Sequence, residues 1–258
     1  MNSFYICITC RHFHDRHDHI LRQHQAYLHE FFGLPHLLLD ADIDNGLEYS
    51  CNGYSPSAWE RDVGCILPFH EFNFFCFQNR FNGERLRYNL LHHDCRTEYF
   101  DLSRSMPKRP LKLAEHSLIH KHYIALCIAR SRDVPTLIVE DDATISGLRQ
   151  VKNILASIAI AEQEDVFINL VNAPHCWGKS FSDTNLYPVS IARTFTTGAY
   201  VVSPDTARKL VEGFFPYSLP IDFHLQRLFK ILKIRGYTIG ENGIENGSLI
   251  SAVESTIQ

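Results

Sequence analysis

"PTLIVEDDATIS", Pro135 to Ser146, runs an apolar strand-like segment, Thr136 to Val139, straight into three adjacent acids, Glu140, Asp141 and Asp142. Carboxylates this close repel one another, and each is costly to desolvate. In open parallel sheets, ligands bind beyond the carboxyl ends of the strands. A core strand that ends on acids therefore suits an α/β sheet with a polar site along that edge. Two readings of the acids stand at this point. In one, Glu140 and Asp142 are solvated turn residues and Asp141 or Asp142 caps the next helix. In the other, two or three of the carboxylates resolve their repulsion by sharing Mg2+ or Mn2+, which in turn neutralises a diphosphate.

The flanking segments alternate between helix and strand. Upstream, "AEHSLIHKHYIALCIARSR" predicts a helix with Leu118, His122, Ala125 and Ala129 on one stripe, broken by Asp133 and Pro135. Downstream come a helix at "VKNILASIAIAEQE", a strand at "DVFINLV" and a further strand at "TTGAYVVS". That last strand meets a helix start with Ser203 at the N-cap, Pro204 at the first helical position and Asp205 in the first turn. Ala207, Leu210, Val211 and Phe214 form the expected buried face of this helix. A further helix, "FHLQRLFKILK", follows Asp222, which is either its N-cap or a functional acid.

The first forty residues read as strand, helix, strand. "SFYICIT" is followed by a helix carrying Ile20, Leu21, Tyr27, Leu28, Phe31 and Phe32, then Gly33 as a stop and "PHLLLD" as a second strand. This βαβ opening favours a parallel sheet with helices on its faces. Residues 41–112 read as an irregular insertion, with turn-like stretches around the aromatic run "FHEFNFFCFQ". Core is the default reading of that run, against an acceptor platform or a membrane-facing patch. The expectation is one α/β domain over residues 1–258, with 41–112 serving as an acceptor-side element or lid.

Composition narrows the function classes. The chain of 258 residues is 45% hydrophobic and 21% charged, ordinary values for a soluble globular protein. A formal charge of −4 carries no basic footprint, so nucleic acid is not an expected partner. The start, "MNSFYICITC", does not read as a signal peptide, and no run of about eighteen apolar residues predicts a membrane span. Eight irregularly spaced cysteines do not form a secreted disulfide framework, which suggests a reduced, cytosolic protein. Cys7, Cys10, His12, His14, His17 and His19 fall within thirteen residues and resemble zinc ligands. Cys7 lies in an apolar strand, however, where a small buried hydrophobe is the simpler reading.

Four stretches together resemble glycosyltransferase family 25, the lipooligosaccharide-biosynthesis family that includes the collagen galactosyltransferases. "FYICITCRHFHDRHDHILRQ" is similar to the family's first strand and its loop with an Asp-Arg pair, here Asp15-Arg16. "EHSLIHKH" is similar to its Glu-to-His helix signature, with Glu115 and His122 seven residues apart, about two helical turns. "LIVEDDATIS" resembles its most diagnostic stretch. "FTTGAYVVSPDTARKLVEGFFPYSLPIDFHL" resembles its strand, capped helix and Pro-x-Asp, with Asp222 as the acid. The resemblance covers about residues 1–40 and 113–225.

What the resemblance implies is a GT-A-like nucleotide-binding sheet and a metal-dependent hexosyltransferase. The expected donor is UDP-galactose, and the expected acceptor a saccharide or lipid-linked saccharide, reached with inversion. Asp142 is then the first metal ligand for Mn2+ or Mg2+, and Asp141 shares the metal. Glu140 bonds to ribose or orients its neighbours, and Asp222 is the general base. Glu115, His122, Thr197 and Gly198 line the donor pocket beside Thr196, with Arg11 and Arg16 reaching the nucleotide. His224 contacts the acceptor or, like His175, supplies a third metal ligand. A cytoplasmic enzyme, peripheral at the inner face of a membrane, is the corresponding location. The rival readings are a non-catalytic carbohydrate- or partner-binding domain, a transferase with another nucleotide-sugar donor, and a metal-dependent phosphohydrolase using the same acids.

Overall fold

The computed structural model describes residues 3–8, 22, 24–32, 37–39, 113–171, 185–188, 196–214, 217, 219–241 and 243–246. Arg11, Arg16, His175 and the insertion 41–112 lie outside the described residues, as do Cys10 and the neighbouring histidines.

Seven strands form one sheet. In chain order they are β1 (Phe4–Ile8), β2 (Leu37–Leu39), β3 (Thr136–Glu140), β5 (Val166–Asn169), β6 (Leu186–Pro188), β7 (Ala199–Val202) and β8 (Arg235–Ile239). A separate two-stranded sheet pairs β4 (Ala143–Thr144) with β9 (Glu245–Asn246). The helices are α1 (His29–Phe32), entered through a π-helical turn at His24–Leu28, then α2 (Leu113–Ala129), α3 (Leu148–Ala161), α4 (Pro204–Gly213) and α5 (Ile221–Ile231).

The strand order is β2-β1-β3-β7-β5-β8-β6. β1 pairs parallel with both β2 and β3, and β5 pairs parallel with β8. β7 runs antiparallel between β3 and β5, and β6 antiparallel along β8. The expected parallel sheet is therefore a mixed one. β6 and β7 run in the same direction as each other and against the other five strands.

Helices cover both faces. On one, α2, α4 and α5 pack over Ile6, Ile138, Phe167, Tyr200 and Val202. On the other, α3 and the segment around Leu28 pack over Tyr5, Cys7, Leu137, Val139 and Ile168. Helix α2 departs from the expected single stripe, because residues 121–129 are buried all round. Where it lies between the sheet and the two helices α4 and α5, its second half, residues 123–129, is apolar on every side, as an enclosed segment must be, and the buried polar residues Lys121 and His122 precede it. In the first helix, Leu28 is buried and Phe32 half-buried against Tyr5, but Phe31 is exposed. The extra residue in the π turn shifts the phase of the helix and turns Phe31 outward.

The cap of α4 is the one the sequence predicts. Ser203 is in extended conformation and its hydroxyl accepts from Thr206 N–H, with Pro204 following. Ala207, Leu210, Val211 and Phe214 are all buried. At the far edge, Gly240 accepts no side chain, since a Cβ there would lie 2.4 Å from the Tyr187 ring.

Candidate active site at the carboxyl end of β3

The acids are neither solvated nor a helix cap. Glu140, Asp141 and Asp142 are 9%, 5% and 6% exposed, and α3 begins only at Leu148, behind Gly147. After a turn at Asp141 and Asp142 the chain enters β4, which is fastened to β9. The capped-turn reading is corrected accordingly. The three carboxylates have different neighbours. Glu140 falls on the Ile138 face, where His122 donates from Nε2 to its Oε1 at 3.0 Å. Asp141 lies near Cys7, a residue of the opposite face. Burial pushes the Cys7 thiol well above the usual thiol range, and the nearby Asp141 charge pushes it further. Asp142 lies near Asp222.

Asp222 belongs to the first turn of α5, yet it does not cap that helix. The cap position is Pro220, with no side-chain bond, and Asp222 turns toward the sheet. Its Oδ1 accepts from both the backbone N–H (2.8 Å) and the hydroxyl (2.9 Å) of Thr197. Gly198 follows, and its carbonyl accepts from Glu140 N–H at 2.7 Å. The start of β7 thus ties the β3 acids to Asp222. The Asp222 residue is half-buried, but its carboxyl is set deep among protein atoms. Burial and the neighbouring Glu140 charge, with a smaller push from Asp142, raise its pKa from 3.8 to about 7, against the two Thr197 hydrogen bonds.

His122 is wholly buried, with Nε2 on Glu140 and Nδ1 bonded to the Tyr200 hydroxyl at 3.0 Å. Its ring stacks on Tyr200, which in turn stacks on Phe167. The expected donor contact is thereby replaced by a core position in which both ring nitrogens are used. His224 also takes a core position. Two residues beyond Asp222, it points to another side of α5, is 1% exposed, and shares Nε2 with the Phe214 carbonyl at 2.8 Å. Its ring sits edge-on to Phe214 and Tyr217. Glu115 lies in the first turn of α2. Thr197 and Gly198 immediately precede β7, and Thr197 is buried.

Sequence reasoning missed Tyr200, which aligns with Ile138 in the β3–β7 register and so shares the Glu140 face. Strand alternation held that signal, but only once the pairing partner was known. It also missed the segment Gly243–Asn246. Gln150 Nε2 donates to the Gly243 carbonyl at 2.7 Å, and Ile244 N–H donates to the Leu170 carbonyl at 2.7 Å. No local pattern in the sequence marks these as part of the acidic edge.

Among the described residues, no three His, Cys, Asp or Glu side chains converge to hold a metal ion by themselves. Mg2+ commonly takes only one or two carboxylates and completes its shell with water and phosphate oxygens. Asp142, a hard oxygen ligand beside a second acid, fits that kind of site, and the adjacent Asp141 carries the same kind of ligand. Among the described residues, no helix is long and apolar enough to cross a membrane. No protein-family model matches the sequence, and no curated protein matches it.

Proposed function

We propose that this chain is a metal-dependent, inverting glycosyltransferase with a GT-A-like fold. It moves a hexose, galactose from UDP-galactose in the first instance, onto a hydroxyl of a saccharide or lipid-linked saccharide. The observation that carries the reading is the meeting of Asp222 with the β3 acids. Two segments about eighty residues apart in sequence bring a carboxyl tuned to about 7 beside Glu140 and Asp142, at the edge where α/β sheets bind ligands.

The chemistry follows from these groups. Thr197 fixes Oδ1 of Asp222 with two donors, which sets the direction of the carboxylate. As a base, Asp222 takes the proton of the acceptor hydroxyl while that oxygen bonds to the anomeric carbon. The bond from the same carbon to the diphosphate breaks on the opposite face, which inverts the centre, and Asp222 then returns its proton to water. A pKa near the working pH keeps an ionised fraction available and still makes the carboxylate a competent base. Asp142 is the residue that would hold Mn2+ or Mg2+. When bound, that ion supplies charge neutralisation for the departing diphosphate. The mixed α/β sheet is compatible with a GT-A architecture, and an enzyme peripheral to the cytoplasmic membrane face would meet lipid-linked acceptors.

Thermal unfolding with UDP, GDP and CMP, each with and without Mn2+, tests the reading on the wild type and on Asp142→Asn. A ligand held only by the folded state, at about 100 times its Kd, adds roughly 2.7 kcal/mol. Stabilisation by UDP that needs Mn2+ and disappears in Asp142→Asn is the expected result. A preference for CMP keeps the transferase and changes the donor. If no nucleotide shifts the curve, the non-catalytic binding domain becomes the better account.

A further inference from the structure

We propose that His122 is a positioning residue that acts through Glu140, with Tyr200 behind it, so that the three side chains behave as one unit in holding a nucleotide–cation ligand. The ligand in this inference rests on the transferase reading; the hold of His122 on Glu140 does not.

The geometry allows His122 no direct role. It is 0% exposed, its Nε2 is on Glu140 Oε1 and its Nδ1 on the Tyr200 hydroxyl, both at 3.0 Å. An ionised carboxylate only accepts, so Nε2 must carry the proton on that side. In the neutral ring Nδ1 then accepts from the Tyr200 hydroxyl; in the cationic ring it donates to the same oxygen. Burial keeps the Tyr200 phenol well above the usual tyrosine range, so its O–H persists and can serve either way. Both ring nitrogens are therefore paired, with Nε2 committed to holding Glu140.

The unit is also rigid. Tyr200 stands opposite Ile138 in the β3–β7 pairing, and its ring is clamped between His122 and Phe167. Glu140 is fixed a second time through its own backbone N–H to the Gly198 carbonyl. A glutamate held at its backbone and at Oε1, beside Asp222 and Asp142, keeps a set direction although its like-charged neighbours push it away. An imidazole that donates to a carboxylate orients it as outer partners orient ligating groups elsewhere, where their loss costs roughly 10–100-fold in affinity.

The test measures the Kd of UDP with Mn2+ by calorimetry in the wild type, His122→Leu, His122→Gln, Glu140→Gln and the His122→Leu/Glu140→Gln double variant. The inference expects His122→Leu to weaken binding about 10–100-fold and His122→Gln, whose amide can still donate to Glu140, to recover most of that loss. It also expects the double variant to bind no worse than the weaker single one. Multiplying losses in the double variant, or no recovery with Gln, overturns it, because a purely structural histidine behaves that way. In parallel, nitrogen-labelled histidine NMR of the ligand-free protein looks for an Nε2–H signal of His122 that moves in Glu140→Gln. If that signal is present but the wild type binds no nucleotide, the transferase reading falls and the hold survives. An unprotonated Nε2, or one indifferent to Glu140, overturns the hold itself.

Discussion

Asp222 sits where two demands conflict. The first turn of a helix favours a negative charge, but burial and the neighbouring Glu140 carboxylate disfavour it, and these win by raising the pKa from 3.8 to about 7. The sign of the consequence is fixed. A carboxyl whose folded pKa exceeds its unfolded value binds its proton more tightly when folded. Its stabilising contribution is complete below about pH 4 and is lost as pH rises through about 7. Asp222→Asn keeps an oxygen for both Thr197 donors and removes the charge. Measured by thermal unfolding in EDTA, the variant should gain on the wild type steadily from pH 4 to pH 8. At the upper end it should be more stable by on the order of 2 kcal/mol, a figure reduced for the partial solvent reach of the residue. Wild-type and variant curves that run parallel would show that the carboxyl titrates normally. The same substitution should abolish transfer, so stability and activity move in opposite directions at this one residue.

Helix α4 shows which elements a sequence can declare. Ser203 accepts from Thr206 N–H (3.3 Å) and Val166 N–H (3.2 Å) and donates to Asp165 at 3.1 Å, so one hydroxyl caps the helix and fastens it to the start of β5. Ser203→Ala should cost about 2 kcal/mol, a lost cap plus a stranded buried N–H. Urea denaturation should register this as a lower midpoint at unchanged slope. Ser203→Asp, as good a cap in an isolated helix, should fail to rescue because it faces Asp165; full rescue would mean that capping alone matters here. The cap and its buried face were legible because both are local: Ser-Pro-Asp followed by Ala207, Leu210, Val211 and Phe214 states a helix without reference to the rest of the chain. β1, β3 and β5 were legible for the same reason, as apolar runs between breakers. β4, β6, β8 and β9 were not: a two-residue strand such as β4 or β9 exists only through its partner, and "RGYTI" of β8 is largely half-exposed and lacks an apolar run. The reversed direction of β7 is likewise a property of the pairing. At the site, the acids at a strand end were readable from a run of apolar residues meeting "EDD". The direction of each carboxylate was not, nor the burial of His122 and His224, because those depend on which helix covers which face.

At the level of the whole molecule, the carboxyl ends of β1, β3, β5 and β8 share one edge, and β7 starts from it. The chain beyond β8 therefore emerges on the acidic side of the sheet. It crosses that edge through Ile244, bridged to Val171 beyond β5, and ends its described course by pairing β9 with β4, directly after the acids. Gln150 closes this arrangement. Its Oε1 accepts from Ser146 N–H and hydroxyl, while its Nε2 donates to the Gly243 carbonyl, so one buried amide joins the exit of the acidic turn, α3 and the late segment. Gln150→Leu conserves most of the volume and leaves the Ser146 N–H and the Gly243 carbonyl without this partner, at a cost of about 1–3 kcal/mol for each group that stays buried. If the late segment latches the acidic turn, the damage should be shared across that distance. Hydrogen exchange should quicken together in residues 141–146 and 243–246, while the β1–β3 pairing stays protected. Exchange that rises only near residue 146 would reduce Gln150 to a local turn residue. A joint rise would mean that the position of Asp142 is set by a strand pair formed about a hundred residues later in the chain, which is why the acidic turn can stay buried without a helix to cap.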